Sequence, residues 1–398
     1  ADSGAHGLVG RLTDNMRTPS NILLLCWRDT RHPQGGGSEL YLERVGEELA
    51  ARGVRVTLRT AMYPGAARSE TVRGVHISRG GGRFTVYPLA LIAILLARFG
   101  RGPLRGIRPD AVIDTQNGIP FFARLVAGVP VTVLVHHCHR EQWPVAGRLV
   151  ARIGWFIESR LSPWLHRRSQ YLTVSLPSAE ELALLGVGAE RVAVVRNGID
   201  AVAPGVADVR SASPRIVVLS RLVPHKQIED ALDVLARLGR RVPDLHLDVI
   251  GSGWWDSELY AHAAKLGVLD RVTFHGHVTE QRKHRLLSRA WVHVMPSRKE
   301  GWGITVIEAA QHAVPTVGYV SSRGLTDSVV DGATGLLVRD LAGLTESVYA
   351  LLSDALLREE LGAKAQERAG EFSWPATADG VSRVLAASVA GERVGGLV

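Results

Sequence analysis

Short apolar runs that suit a buried strand recur along this chain. Each is followed by a segment whose apolar residues fall at helical spacing. That alternation restricts the chain to an α/β class with parallel sheets. "NILLLCW" (residues 21–27) is the first such run. The glycine-rich "RDTRHPQGGGS" follows, then "ELYLERVGEELAARG", which reads as an amphipathic helix stopped at Gly53. "VRVTLRT", "DAVIDTQ" and "VPVTVLVHH" continue the series as strands. After residue 213 the style repeats: "RIVVLSRL", "LHLDVIGSG", "RVTFHGHV" and "WVHVMPS" read as strands and "QIEDALDVLARLGRRV" as a helix. Between the two series lies "AVAPGVADVRSAS" (201–213), which is small, proline-containing and aperiodic, as a linker would be. With 398 residues the chain is too long for one ordinary core. The expectation is therefore two Rossmann-like doubly wound domains facing a cleft, with ligands beyond the carboxyl ends of the strands.

The expected domains are 1–205, 206–375, and a carboxyl-terminal helix over 376–398 that can cross back to the first domain. The start, "ADSGAHGLVGRLTDNMRTPSN", has no apolar core behind a basic end and reads as a loose tail, not a leader. No run of eighteen uninterrupted apolar residues occurs, which argues against a membrane-spanning helix. The two cysteines, Cys26 and Cys138, adjoin apolar runs and read as buried reduced thiols, which fits a cytoplasmic protein. The formal charge of +8 suits anionic partners: nucleic acid, a membrane surface or phosphorylated small molecules.

The stretch "SRKEGWGITVIEAAQ" (297–311) places Glu300 and Glu308 either side of a glycine-flanked tryptophan. It sits where a strand ends and a helix starts, so free N–H groups and the helix dipole favour phosphate there. Carboxylates on either side of an anion accept hydroxyl hydrogen bonds, a pattern that describes a nucleotide-sugar. The alternative is a solvated Glu300 and a helical Glu308 in an ion pair. In "VLSRLVPHKQIEDA", Arg221 and Lys226 stand between a strand and a helix, where they can neutralise a diphosphate or remain surface cations. Gly35, Gly36 and Gly37 precede a helix expected to begin after Ser38. They either bring backbone amides to a substrate or give way to a Ser38 cap with Glu39 in the first turn. His136, His137 and His139 follow a strand. Neighbouring histidines point in different directions and no zinc-like spacing accompanies them, so a histidine touching substrate, or a structural one, fits better than a metal ligand. "VIGSGWWD" starts like a dinucleotide fingerprint, but Asp256 replaces its third glycine.

These pieces together resemble the retaining glycosyltransferases of family 4, with the GT-B fold. The likeness spans nearly the whole chain through "GGGSE", "VLVHH", "VVRNGID", "SRLVPHK", "FHGHV", "EGWGITVIE" and "DSVVDGATGLLV". The resemblance implies that Glu300 contacts donor-sugar hydroxyls and Glu308 the ribose, as the two ends of an E-x7-E motif. It implies phosphate binding by the backbone of Gly303, Ile304 and Thr305, and diphosphate binding by Arg221 and Lys226. Gly37 then lies near the donor phosphates and the acceptor, with Gly36 and His137 on the acceptor side. His136 matches the histidine near the C6 hydroxyl of the transferred sugar, with His137 as competitor. Asn197 and Gly198 match a more structural "NG" element. The implied chemistry moves a hexose, mannose or glucose, from a nucleoside diphosphate sugar to a glycan, glycolipid or polyol hydroxyl with retention. His136, Arg221, Lys226 and Glu300 are the catalytic set. Neither a cofactor nor a metal is expected, in keeping with the lack of a D-x-D-like motif.

Residues 83–108 join an apolar run to Arg98, Arg101, Arg105 and Arg108, and residues 148–168 are a second apolar-basic stretch with tryptophans. Either can lie on an anionic membrane face as a peripheral attachment, or be a core helix with a basic end. Three rival readings stand beside the transferase. A dehydrogenase lacks its dinucleotide loop, a nucleic-acid-binding protein lacks a recognised module, and a non-catalytic sugar-nucleotide binder shares every motif.

Overall fold

A computed structural model describes residues 19–33, 35–138, 148–202, 204–206 and 209–398. The expected tail at 1–18 and His139 lie outside the described residues. The chain divides into two compact units, one running to Gly198 and including Trp374–Val398, the other Ile199–Ser373.

The first unit carries β1 (Asn21–Leu25), β2 (Arg55–Thr60), β3 (Ser69–Val72), β4 (Val75–Arg79), β5 (Ala111–Thr115), β6 (Val131–Val135), β7 (Gln170–Thr173) and β8 (Val192–Val194). The second carries β9 (Arg215–Leu219), β10 (His246–Ile250), β11 (Val272–Gly276), β12 (Val292–Met295), β13 (Thr316–Tyr319) and β14 (Gly335–Val338). The helix Trp374–Val389 and β15 (Gly396–Leu397) then belong to the first unit again. Among the described residues the first sheet has the order β15-β8-β7-β6-β5-β1-β2-β4-β3 and the second β11-β10-β9-β12-β13-β14. Apart from the β3–β4 pair, neighbours are parallel. Parallel strands covered on both faces need near-continuous apolar sequence, and β1 is buried at all five positions. The β3–β4 hairpin, which strand alternation did not announce, turns on Arg73 (φ 46°) and Gly74 (φ 83°), the left-handed pair of a tight hairpin.

Each sheet reverses its strand order once, between β1 and β5 and between β9 and β12. The loops leaving such neighbouring strands part and open a crevice. Within the first unit, the helix Trp374–Val389 packs on Gly37–Ala51, with the Trp374 and Tyr41 rings 6.3 Å apart. The helix Gly37–Ala51 starts two residues earlier than expected. Its cap is Gly36, not Ser38, because the Glu39 carboxylate accepts the Gly36 N–H at 2.8 Å.

The glycines of "VIGSGWWD" have a packing role. A side chain at Gly251 would place its Cβ 1.8 Å from the Ser220 carbonyl oxygen, and one at Gly253 2.0 Å from that of Leu222. The loop after β10 thereby lies directly on the loop after β9, with Leu222 N–H donating to Ser252 (3.1 Å). Gly251→Ala should cost about 2–4 kcal/mol, measured by urea unfolding; an unchanged midpoint would contradict this packing role.

Asp114, at the carboxyl end of β5, is fully buried and accepts the N–H groups of Phe121 (2.8 Å) and Ala123 (2.9 Å). Burial pushes its pKa up to about 6 although those hydrogen bonds oppose the rise. A folded pKa above the unfolded one contributes stability that is complete below about pH 4 and lost as pH rises through about 6. Relative to Asp114→Asn, the wild-type unfolding free energy should fall over that window by at most about 1.4 kcal/mol per pH unit. A difference that stays flat with pH would refute the assignment.

Candidate active site

In the second unit the chain leaves β9 and β12 side by side at the reversal of strand order. The loop after β9 carries Arg221, exposed, and Lys226, which ends the short 3-10 turn Pro224–Lys226. The loop after β12 carries Glu300. The Arg298 N–H donates to the His225 carbonyl at 2.9 Å, so the two loops are joined by backbone. Across that join Lys226 Nζ meets Glu300 Oε1 at 2.5 Å, with both side chains largely shielded from solvent. The sequence alternative of a solvated Glu300 is therefore corrected: its carboxylate is paired. Arg221 and Lys226 share a loop, and Lys226 forms the ion pair with Glu300.

Trp302, between the two glutamates, is 2% exposed and packs edge-on against Phe372 at 4.9 Å. It anchors the turn from inside the unit, with Gly301 half-buried before it and Gly303 buried after it. Gly303 takes φ 91° and starts the helix Ile304–Ala310. Ile304 and Thr305 lead that helix, where N–H groups have no intrahelical acceptor. Glu308 lies one turn on. Its carboxylate meets Lys283 Nζ at 2.5 Å, and Lys283 also reaches Glu280 at 2.5 Å. Burial raises the Glu308 pKa against the pull of Lys283. Burial disfavours the charge on Lys283, yet Glu308 and Glu280 hold its pKa above the ordinary value.

Lys283 was not singled out from sequence. Its partner Glu308 is twenty-five residues away, a separation without a local signature. Below that pair, His284 Nδ1 and His312 Nε2 are 2.8 Å apart and buried, and burial drives the His284 pKa down to about 4. The two contacts tie the helices Glu280–Arg289 and Ile304–Ala310 together beside Glu308. Gly324 was also missed. A Cβ there would stand 2.4 Å from the Glu300 carbonyl oxygen, and Glu300 N–H donates to Ser322 at 3.2 Å. The loop after β13 thus holds the Glu300 backbone from the other side.

In the first unit, Gly36 and Gly37 lie where β1 leads into the helix Gly37–Ala51, at the β1/β5 reversal. Apart from its chain neighbours and its own helix backbone, no atom of the described residues falls within 4 Å of where a Cβ on Gly37 would stand. Glu39 is buried and binds Arg28 Nε at 2.7 Å as well as the Gly36 N–H. The positive end of this helix is therefore already met by an internal carboxylate. His136, at the end of β6, is buried with its ring edge-on to Tyr41 at 5.3 Å, while His137 is half-buried. Asn197 is buried. Among the described residues no group of three or more His, Cys, Asp or Glu side chains is arranged to hold a metal ion. Cys26 and Cys138 are buried free thiols.

Comparison with known proteins gives the family. The model for glycosyl transferases group 1 matches residues 206–368 and that for glycosyltransferase family 4 matches residues 35–203. A glycogen synthase of Mycobacterium tuberculosis is 32% identical over 73% of this chain and 72% of its own length. A GDP-mannose-dependent alpha-(1-6)-phosphatidylinositol monomannoside mannosyltransferase of Mycolicibacterium smegmatis is 29% identical over 81% of this chain and 87% of its own. Among solved structures, sucrose-phosphate synthase from Thermosynechococcus elongatus superposes with a TM-score of 0.75 at 19% identity, covering 90% of this chain and 96% of that one. With both units matched in order, the chain belongs to the family 4 glycosyltransferases and has the GT-B fold.

Proposed function

We propose that the chain transfers a hexosyl group, mannose or glucose, from a nucleoside diphosphate sugar to a hydroxyl of a glycan, glycolipid or polyol, with retention at the anomeric carbon. The observation that carries this reading is the Lys226–Glu300 pair at the β9/β12 reversal, with Glu308 one helical turn beyond Gly303. Relatives named for GDP-mannose and for glycogen synthesis support the hexose and the nucleotide-sugar class. Two buried free thiols fit a reaction on the cytoplasmic side.

In this reading Lys226 and Arg221 take the diphosphate, Glu300 accepts hydrogen bonds from sugar hydroxyls, and Glu308 accepts those of the ribose. The N–H groups of Ile304 and Thr305 add donors to a phosphate oxygen. The acceptor oxygen forms its bond to the anomeric carbon on the face from which the diphosphate leaves, and a leaving phosphate oxygen takes the acceptor proton. Glu300 is then a positioning group, and no residue forms a covalent sugar ester. Gly36, Gly37, His136 and His137 serve the acceptor and the transferred sugar. A non-catalytic sugar-nucleotide binder would bind the same donor without turnover.

Two experiments test the proposal. Lys226→Ala removes the charge that answers the departing diphosphate, and kcat should fall by about 10²–10³, read as release of nucleoside diphosphate in the presence of acceptor mixtures. Full turnover would eliminate Lys226 from the assignment. Thermal unfolding with GDP, UDP, ADP and NAD in turn identifies the donor base. At about 100 times its dissociation constant one nucleoside diphosphate should add about 2.7 kcal/mol, and Glu308→Ala should weaken that response. A response to NAD alone would favour the dehydrogenase instead.

A further inference from the structure

The first unit carries an apolar, arginine-rich face that the donor chemistry proposed above does not use. The helix Val86–Arg98 buries Val86, Ala90, Ala93 and Ile94 in the core of the unit. Its other side is apolar too. Leu89, Ile92, Leu95 and Leu96 are exposed, continued by Phe84 before the helix (74% exposed) and Phe99 after it (73%). Single exposed apolar residues are ordinary, but six at helical spacing form a patch. Residues 83–108 hold five arginines, Arg83, Arg98, Arg101, Arg105 and Arg108, and no acidic residue.

A second stripe adjoins it. Leu149, Ile153 and Phe156 on the helix Arg148–Phe156, and Trp164 beyond it, are exposed. Arg152, Arg160, Arg167 and Arg168 are exposed with them, whereas Glu158, the one carboxylate of residues 148–168, is fully buried. Consecutive rings link the two stripes. Tyr87 packs on Phe121 at 4.7 Å, and Phe122 stacks on His166 at 6.0 Å. Exposed Leu125 follows on the same turn. At the carboxyl end of Val86–Arg98 a recess of about 300 Å³ is lined by Leu23, Ile94, Leu104 and Val129, with Arg98 and Arg108 beside them.

We propose that this face docks the protein on an anionic phospholipid bilayer. Among the described residues no helix is long and apolar enough to cross a membrane, so the helix lies along the surface. Its leucines, isoleucine and phenylalanines enter the acyl boundary while the guanidiniums stay at the level of the phosphates. A symmetric contact with a second copy would set arginines against arginines. An anionic lipid surface supplies the countercharge that such a contact lacks.

Sedimentation of the full chain with vesicles tests this, and it reads no turnover, so its result is independent of the transfer chemistry. At low salt the protein should pellet with vesicles containing phosphatidylglycerol. Binding should fall about tenfold or more on phosphatidylcholine alone, and high salt should release the protein. Ile92→Ser with Leu96→Ser, and separately Arg101→Glu with Arg105→Glu, should each weaken binding about tenfold or more. Leu356→Ser, at an exposed position of the second unit, should leave it unchanged. Unaltered melting temperatures would show that the variants fold. The proposal is overturned by absence of pelleting at low salt, by equal binding to both lipids, or by variants that bind as wild type. It is equally overturned if the wild type self-associates without lipid and the Ile92→Ser, Leu96→Ser variant does not.

Discussion

A parallel sheet can be extended from a central strand in either direction, and the place where the chain changes direction is the place where two neighbouring loops are not bridged by one crossover. The second unit puts that place between β9 and β12. Everything at its candidate site depends on it. Lys226 and Glu300 are seventy-four residues apart and meet because their strands are neighbours. The shared backbone bond from Arg298 to His225 fixes the approach of the loops. Gly251 and Gly253 press from the β10 side and Gly324 from the β13 side. A low-dielectric setting then makes the ion pair costly to break by removing one partner.

The alternation of strand-like and helix-like segments was enough to read two parallel α/β units, because burial on both faces leaves little freedom in composition. The loops that carry Arg221, Lys226, Glu300 and the turn at Gly303 were legible for the same reason: they follow apolar runs and precede helical ones. Three things were not legible. The first strand of the β3–β4 hairpin has only four residues, SETV, and none of them is buried, so it carries no apolar run. The Lys283–Glu308 pair joins two helices whose spacing in sequence says nothing about their packing. The cap of Gly37–Ala51 falls on Gly36 and not Ser38, with the Glu39 carboxylate accepting the Gly36 N–H and also binding Arg28, which packs over the Trp27 ring at 4.5 Å.

The tryptophan between the two glutamates shows how a site can be defined by what is hidden. Trp302 faces inward onto Phe372 and holds the turn between Glu300 and Glu308 from within the unit. Each glutamate finds a separate lysine, one from the loop after β9 and one from the helix Glu280–Arg289.

Lys226 faces Glu300, and Lys283 is shared by Glu308 and Glu280, so both lysines already have carboxylate partners before any ligand arrives. On the proposed function, a diphosphate brought there would compete with Glu300 for Lys226, with the exposed Arg221 on the same loop. Binding at Lys226 would then be an exchange of partners, with Glu300 as the group that takes the lysine back when the nucleotide leaves.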